Sequence, residues 1–142
     1  MAIQLSQISW HQKPGQVATY FNVGAITYSV VFNQSTDLFS STIKQLFNSQ
    51  AKITIPDDAW KITVSLCDET SDQDWTAGGL KVFNAIAEVI QHFEELIKPT
   101  VMVFICPNNI FKQIKKIFTS TTHGTCNVVP ITGDVDSYFY LS

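Results

Sequence analysis

Between Trp75 and Cys106 the chain reads WTAGGLKVFNAIAEVIQHFEELIKPTVMVFIC, and this stretch constrains the fold more than any other. Val82, Phe83, Ile86, Val89, Ile90, Phe93 and Ile97 recur at i, i+3, i+4 and i+7, the spacing of one apolar helix face. Glu88, Gln91, Glu94, Glu95 and Lys98 fall mostly off that face. Gly78 and Gly79 precede the helix, which begins near Leu80. Pro99 ends it, because proline lacks the N–H of the ladder and disfavours helical geometry before it. Val101 to Cys106 then shows no alternation. A strand apolar on both sides belongs in the middle of a sheet that is covered above and below.

The rest of the chain supplies that sheet. A short strand over residues 3–10 leads to a turn at Lys13-Pro14-Gly15. Val17, Thr19, Phe21 and Val23 alternate along a second strand. Past Gly24, Ile26, Tyr28, Val30 and Phe32 share one face, with Ala25, Thr27 and Ser29 on the other. Period-two alternation means one face packed and one wet, and the two runs pair as an antiparallel hairpin. Phe39, Ile43, Leu46 and Phe47 predict a helix within 36–48, capped near Ser35 or Asp37. Pro56-Asp57-Asp58 is a turn. Trp60, Ile62, Val64 and Leu66 alternate with outward Lys61, Thr63 and Ser65. After Pro107-Asn108-Asn109 comes a helix that buries Ile110, Phe111, Ile114, Ile117 and Phe118. Thr119 to Gly124 is a polar connection, and Val128–Ile131 and Tyr138–Leu141 are closing strands around Thr132-Gly133-Asp134. The expected class is α+β: one mixed or antiparallel sheet with two or three helices packed mainly on one face. With 142 residues, no internal repeat and no long linker, the chain is expected to form one domain over 1–142.

Composition narrows the function. All nine basic residues are Lys, and twelve acidic residues leave a net charge of −3. Arginine provides the planar fork that reads guanine edges and grips phosphate, so specific nucleic-acid recognition is not expected. Lys112, Lys115 and Lys116 read as a solvated helix face. Charged residues make up only 15%, so Ser, Thr, Asn and Gln must cover much of the surface. Such a surface is wettable and compatible with a docked partner. Three cysteines, Cys67, Cys106 and Cys126, make no closed disulfide framework. No secretory signal and no run of ~20 apolar residues is evident, so a cytoplasmic protein with no membrane segment is expected.

Several positions have the right chemistry for a site. Asp68, Glu69, Asp72 and Asp74 crowd oxygen ligands into one loop, as a hard cation requires, yet their spacing fits no EF-hand and a solvated acidic loop explains them equally. Cys106 ends the apolar strand just before a helix, where a thiol can be activated, although a small buried hydrophobe is the alternative. His123 and Cys126 form a lone H-x-x-C pair that would need two more zinc ligands. Gly78 and Gly79 can expose backbone N–H groups to an anion at a helix start. Tyr138 and Tyr140 can anchor a partner or pack in the last strand.

The segments AITYSVVF, WKITVSL and TAGGLKVFNAIAEVIQHFEELIKPTVMVFIC, in that order, resemble a group of small uncharacterised phage and bacterial proteins over about residues 25–118. Those proteins combine two alternating strands, a Thr/Gly-rich lead-in, a V-F-x-[TA]-[IV] helix and a buried strand. FKQIKKIF has Lys where the group often carries Arg. The resemblance implies the α+β fold and a phage or mobile-element setting, and no mechanism. The leading expectation is a non-enzymatic accessory or defence-related protein that docks a protein partner, with self-association as an option and no cofactor. The alternatives are a diverged acyl-transferase-like enzyme, which would lack that class's Q/R-x-x-G-x-G/A loop, and a cation-dependent regulator using the 68–74 loop.

Overall fold

The computed structural model describes residues 10–24, 26–34, 39–67, 79–121 and 127–142. Among these residues seven strands form one mixed sheet: β1 (Trp10–Lys13), β2 (Gln16–Val23), β3 (Ile26–Gln34), β4 (Trp60–Leu66), β5 (Met102–Pro107), β6 (Val128–Thr132) and β7 (Asp136–Leu141). Their spatial order is β1-β2-β3-β4-β5-β7-β6. Every pairing is antiparallel except β4–β5. That parallel pair needs a crossover, and α2 (Leu80–Ile97) provides it. The other helices are α1 (Ser41–Ala51), between β3 and β4, and α3 (Phe111–Thr121), entered through a 3₁₀ turn at Asn108–Ile110.

The alternating strands do what their period demands. Val17, Phe21, Tyr28, Val30, Phe32, Trp60, Ile62 and Val64 all lie in the larger core, on the face covered by α2 and α3. Val82, Phe83, Ile86, Val89, Ile90 and Phe93 of α2 enter the same core. Its centre is aromatic. Phe93 stacks on Phe32 with centroids 3.8 Å apart, and Trp60 meets Phe93 edge-on at 5.2 Å. Trp10 of the edge strand β1 closes over the pair at 6.2 Å from Phe32 and 6.3 Å from Phe93.

A second core lies on the opposite face. There Phe39, Phe47, Ile55 and Ala59 pack on Val101, Val103 and Ile131. Phe47 of α1 sits 5.8 Å from Tyr138 and 6.1 Å from Tyr140, so α1 covers the β5-β7-β6 half of the sheet. The side-chain amide of Gln50 then satisfies the outer edge of β6. It donates to the Thr132 carbonyl at 2.6 Å and accepts from the Thr132 N–H at 2.9 Å. Pro130 offers no N–H on the same strand, and together these features blunt an edge that would otherwise template another chain.

The apolar strand at 102–106 does run through the interior, flanked by β4 and β7. Met102, Val103, Phe104 and Cys106 are buried, and only Ile105 is half-exposed among these five. Two helices on one face and one on the other agree with the α+β expectation. The first helix is displaced from the expected 36–48. Ser40, not Ser35 or Asp37, caps it by accepting from the Ile43 N–H at 3.3 Å, and the helix runs on to Ala51. Residues 35–38 lie outside the described residues, as do 1–9, so the strand expected over 3–10 is seen only from Trp10. α3 continues to Thr121, past the expected connection at Thr119; Ile110 of the preceding 3₁₀ turn and Ile114 of α3 are buried. The side chains of Ile117 and Phe118 lie outside the described residues.

α1 does not extend over the other half of its face of the sheet. Along β1–β4 that surface carries His11, Lys13, Tyr20, Asn22, Thr27, Asn33, Lys61 and Thr63, and the strands contain no carboxylate at all. Ser29 and Ser65 hydroxyls pair across it at 2.7 Å, and the Gln16 amide donates to Asn33 Oδ1 at 3.1 Å. Tyr20 is 49% exposed, with His11 edge-on to its ring.

Phe93→Ala opens a cavity where four aromatic rings converge and is expected to cost about 3–5 kcal/mol. Urea unfolding followed by tryptophan fluorescence measures this, since Trp10 and Trp60 both report on the site.

Candidate functional site

Hydrogen bonding between β4 and β5 lasts for only three registered pairs, Trp60–Met102, Lys61–Val103 and Ile62–Phe104. Both strands continue beyond that point. β4 stays paired with β3 to Leu66, and β5 stays paired with β7 to Pro107. The carboxyl halves of the only parallel pair among the described strands therefore diverge. By strand alternation, about half the backbone groups of Thr63–Leu66 and Ile105–Pro107 point into the gap, with no ladder between the two strands there. A cavity of about 240 Å³ occupies it, walled by Lys61, Thr63 and Val64 on one side and Ile105, Cys106 and Asp136 on the other. The two half-exposed positions of β5, Ile105 and Pro107, are both at this wedge.

Local sequence sets each wall. Tyr138 packs toward α1, so Asp136, two residues earlier, shares its face. Lys61 and Thr63 emerge on that face too, opposite the buried Ile62 and Val64. Asp136 is held in place by Asn108. The Asn108 side-chain amide donates to the carbonyls of Gly133 (2.9 Å) and Asp134 (3.1 Å), and its backbone N–H donates to Val135 (3.1 Å). Its Oδ1 accepts a short hydrogen bond from the Ser137 hydroxyl. Gly133 is needed in the same turn, since a Cβ there would lie 2.5 Å from the Asp136 carbonyl oxygen. In Pro107-Asn108-Asn109, a segment expected only to open a helix, the first Asn thus latches the β6–β7 turn to the end of β5.

Cys106 is packed, not activated. It is fully buried, and that burial, followed by the nearby Asp136 carboxylate, pushes its thiol up to about 12. A nucleophilic cysteine needs the opposite shift. Cys67 is a free, exposed thiol at the end of β4. Tyr138 and Tyr140 are half-buried, and this aromatic pair packs against Phe47 of α1. Their hydroxyls are both raised, first by burial and then by Asp136 for Tyr138 and Asp58 for Tyr140.

Gly79 is the N-cap of α2, with φ 68° and ψ −143° and no side-chain cap. A Cβ there would meet nothing within 4 Å, so backbone conformation alone requires glycine. α2 follows β4, and Lys81 is exposed in its first turn. Gly78, Asp68, Glu69, Asp72, Asp74, His123 and Cys126 lie outside the described residues. Among the described residues no three His, Cys, Asp or Glu side chains come together as a metal site. Lys112, Lys115 and Lys116 are exposed on α3, as a solvated helix face would be. No described helix is long and apolar enough to cross a membrane. No family model, curated protein or solved structure matches the chain.

Asn108→Ala is expected to lower stability by about 1–3 kcal/mol, because the buried Ser137 hydroxyl and the turn carbonyls lose their partner. Chemical denaturation measures it. Cys106 has a folded-state pKa above its ordinary 9.0, so its contribution to stability is intact below about pH 9 and is lost as pH rises toward about 12. Cys106→Ala is expected to shrink the alkaline loss of stability over that window, as read from melting temperature against pH.

Proposed function

We propose that the wedge between β4 and β5 binds the extended, amide-bearing arm of an acyl thioester, making the chain an acyl-transferase-like domain. The observation that supports this reading most is the loss of ladder pairing beyond Ile62 and Phe104 inside a parallel pair. An extended arm with spaced amides can occupy such a gap as a guest strand, pairing with backbone groups on both walls. Its reactive end emerges between Lys61, Thr63 and Asp136. A phosphate-bearing tail has a place at the start of α2, where the helix N-terminus is free of a side-chain cap and Lys81 adds a positive charge. The absence of a Q/R-x-x-G-x-G/A loop leaves the phosphate grip to those groups alone.

A second reading, docking of a macromolecular partner, draws on the face of β1–β4 that α1 does not cover and on its exposed Tyr20. A second copy of the chain is one candidate. Sedimentation of wild type and Tyr20→Glu over a rising concentration series checks it, and a dimer lost in the variant would support it.

Calorimetric titration with acetyl-coenzyme A tests the first reading. Saturable binding is expected, with loss on Thr63→Trp, which fills the wedge from an exposed position and should leave the melting temperature unchanged. No heat from the wild type sinks the reading.

A further inference from the structure

Lys61 and Asp136 line the same cavity, one ammonium and one carboxylate, both half-buried. Among the described residues neither takes part in an ion pair, with the other or with any third group. That is unusual, because half-buried opposite charges in one small space normally neutralise each other when the backbone lets them meet. Here the backbone does not. Lys61 stands in register with Val103, and Asp136 in register with Pro107, four residues further along β5. Four steps of strand amount to about 13 Å at ~3.3 Å per residue. The two charged heads therefore face a common space from opposite ends. No carboxylate elsewhere on β1–β4 relieves Lys61, since those strands contain none. Thr63 adds a hydroxyl to the same rim and Ile105 an apolar floor.

We propose that this rim is a subsite for a free amino acid, whose carboxylate pairs with Lys61 and whose ammonium pairs with Asp136. A zwitterion of this kind meets both unpartnered charges at once, whereas a simple amine or a simple acid leaves one of them unpaired in a partly dehydrated cavity. Asn108 is the positioning residue of the subsite, because its latch on residues 133–137 fixes where Asp136 stands. The proposal rests on the acyl-thioester reading only for the chemical step after binding. Given a thioester in the wedge, the amino acid loses one proton to solvent, its nitrogen attacks the thioester carbonyl carbon, and a C–N bond forms as the C–S bond breaks. The departing thiolate takes the second proton from the nitrogen. The products are an N-acyl amino acid and a free thiol.

The test uses the intact chain and the common L-amino acids, each beside its carboxamide and its deaminated acid, in thermal-shift and calorimetric titrations. At least one free amino acid is expected to bind about tenfold or more tightly than either analogue. Lys61→Met is expected to erase the preference over the carboxamide, and Asp136→Asn the preference over the deaminated acid, with melting temperatures near wild type. Equal binding of acid and carboxamide by the wild type overturns the proposal, as does a preference that survives in Lys61→Met, or no binding by any member of the set. Acetyl-coenzyme A binding without amino-acid preference leaves the wedge reading standing and removes this one. Amino-acid preference without acetyl-coenzyme A binding does the reverse.

Discussion

Three backbone pairs between β4 and β5 join the two halves of the sheet, an antiparallel four-strand unit and a three-strand unit. Backbone bonding over so short a run cannot hold the halves together alone. Side chains crossing the joint do most of it. Phe93 of α2 touches Phe32 on β3 and Trp60 on β4, while Met102 and Phe104 of β5 lie in the same core. Fully burying each such side chain contributes about 1.5–3 kcal/mol, roughly twice the net worth of one backbone hydrogen bond. The joint is clamped at its closed end, and that clamp lets the other end stay open.

Each helix has a distinct part in shaping the wedge. α2 bridges the two parallel strands and presents its N-terminus beyond the carboxyl end of β4. α1 seals only the β5-β7-β6 half of its face, through Phe47 against Tyr138 and Tyr140, and leaves Lys61 and Thr63 outside the seal. The 3₁₀ turn before α3 carries Asn108, whose latch holds the β6–β7 turn against β5. The open wedge, and the lysine and aspartate that line it without an ion pair among the described residues, are therefore consequences of packing elsewhere. Wedge geometry and charge placement belong to one arrangement.

Much of the architecture was legible because hydrophobic period is a local property. The face of Ile26, Tyr28, Val30 and Phe32, the face of Trp60, Ile62, Val64 and Leu66, and the stripe of α2 each follow from the spacing of their own residues. Helix ends were less legible. α1 stops at a lysine in the left-handed region, Lys52 at φ 58°, where glycine is the usual signal, whereas Pro99 marked the end of α2 just past its cap Lys98. The displaced start of α1 has a similar cause, since several Ser, Thr and Asp residues before it can all cap and only packing of Phe39 and Phe47 selects Ser40.

The candidate site was hardly legible. Cys106 was visible as a thiol before a helix, but whether it is activated or inert depends on its surroundings, and it is surrounded by core. Tyr138 and Tyr140 were visible as aromatics, but the helix that covers them lies about ninety residues earlier in the chain. Lys61 and Asp136 carried no signal at all. The amino-acid string determined which residues face inward along each strand and helix, because that depends only on neighbours a few positions away. Tertiary structure alone decided where β4 and β5 part, and which charges look into the gap, because strand order and register join residues that the chain keeps far apart.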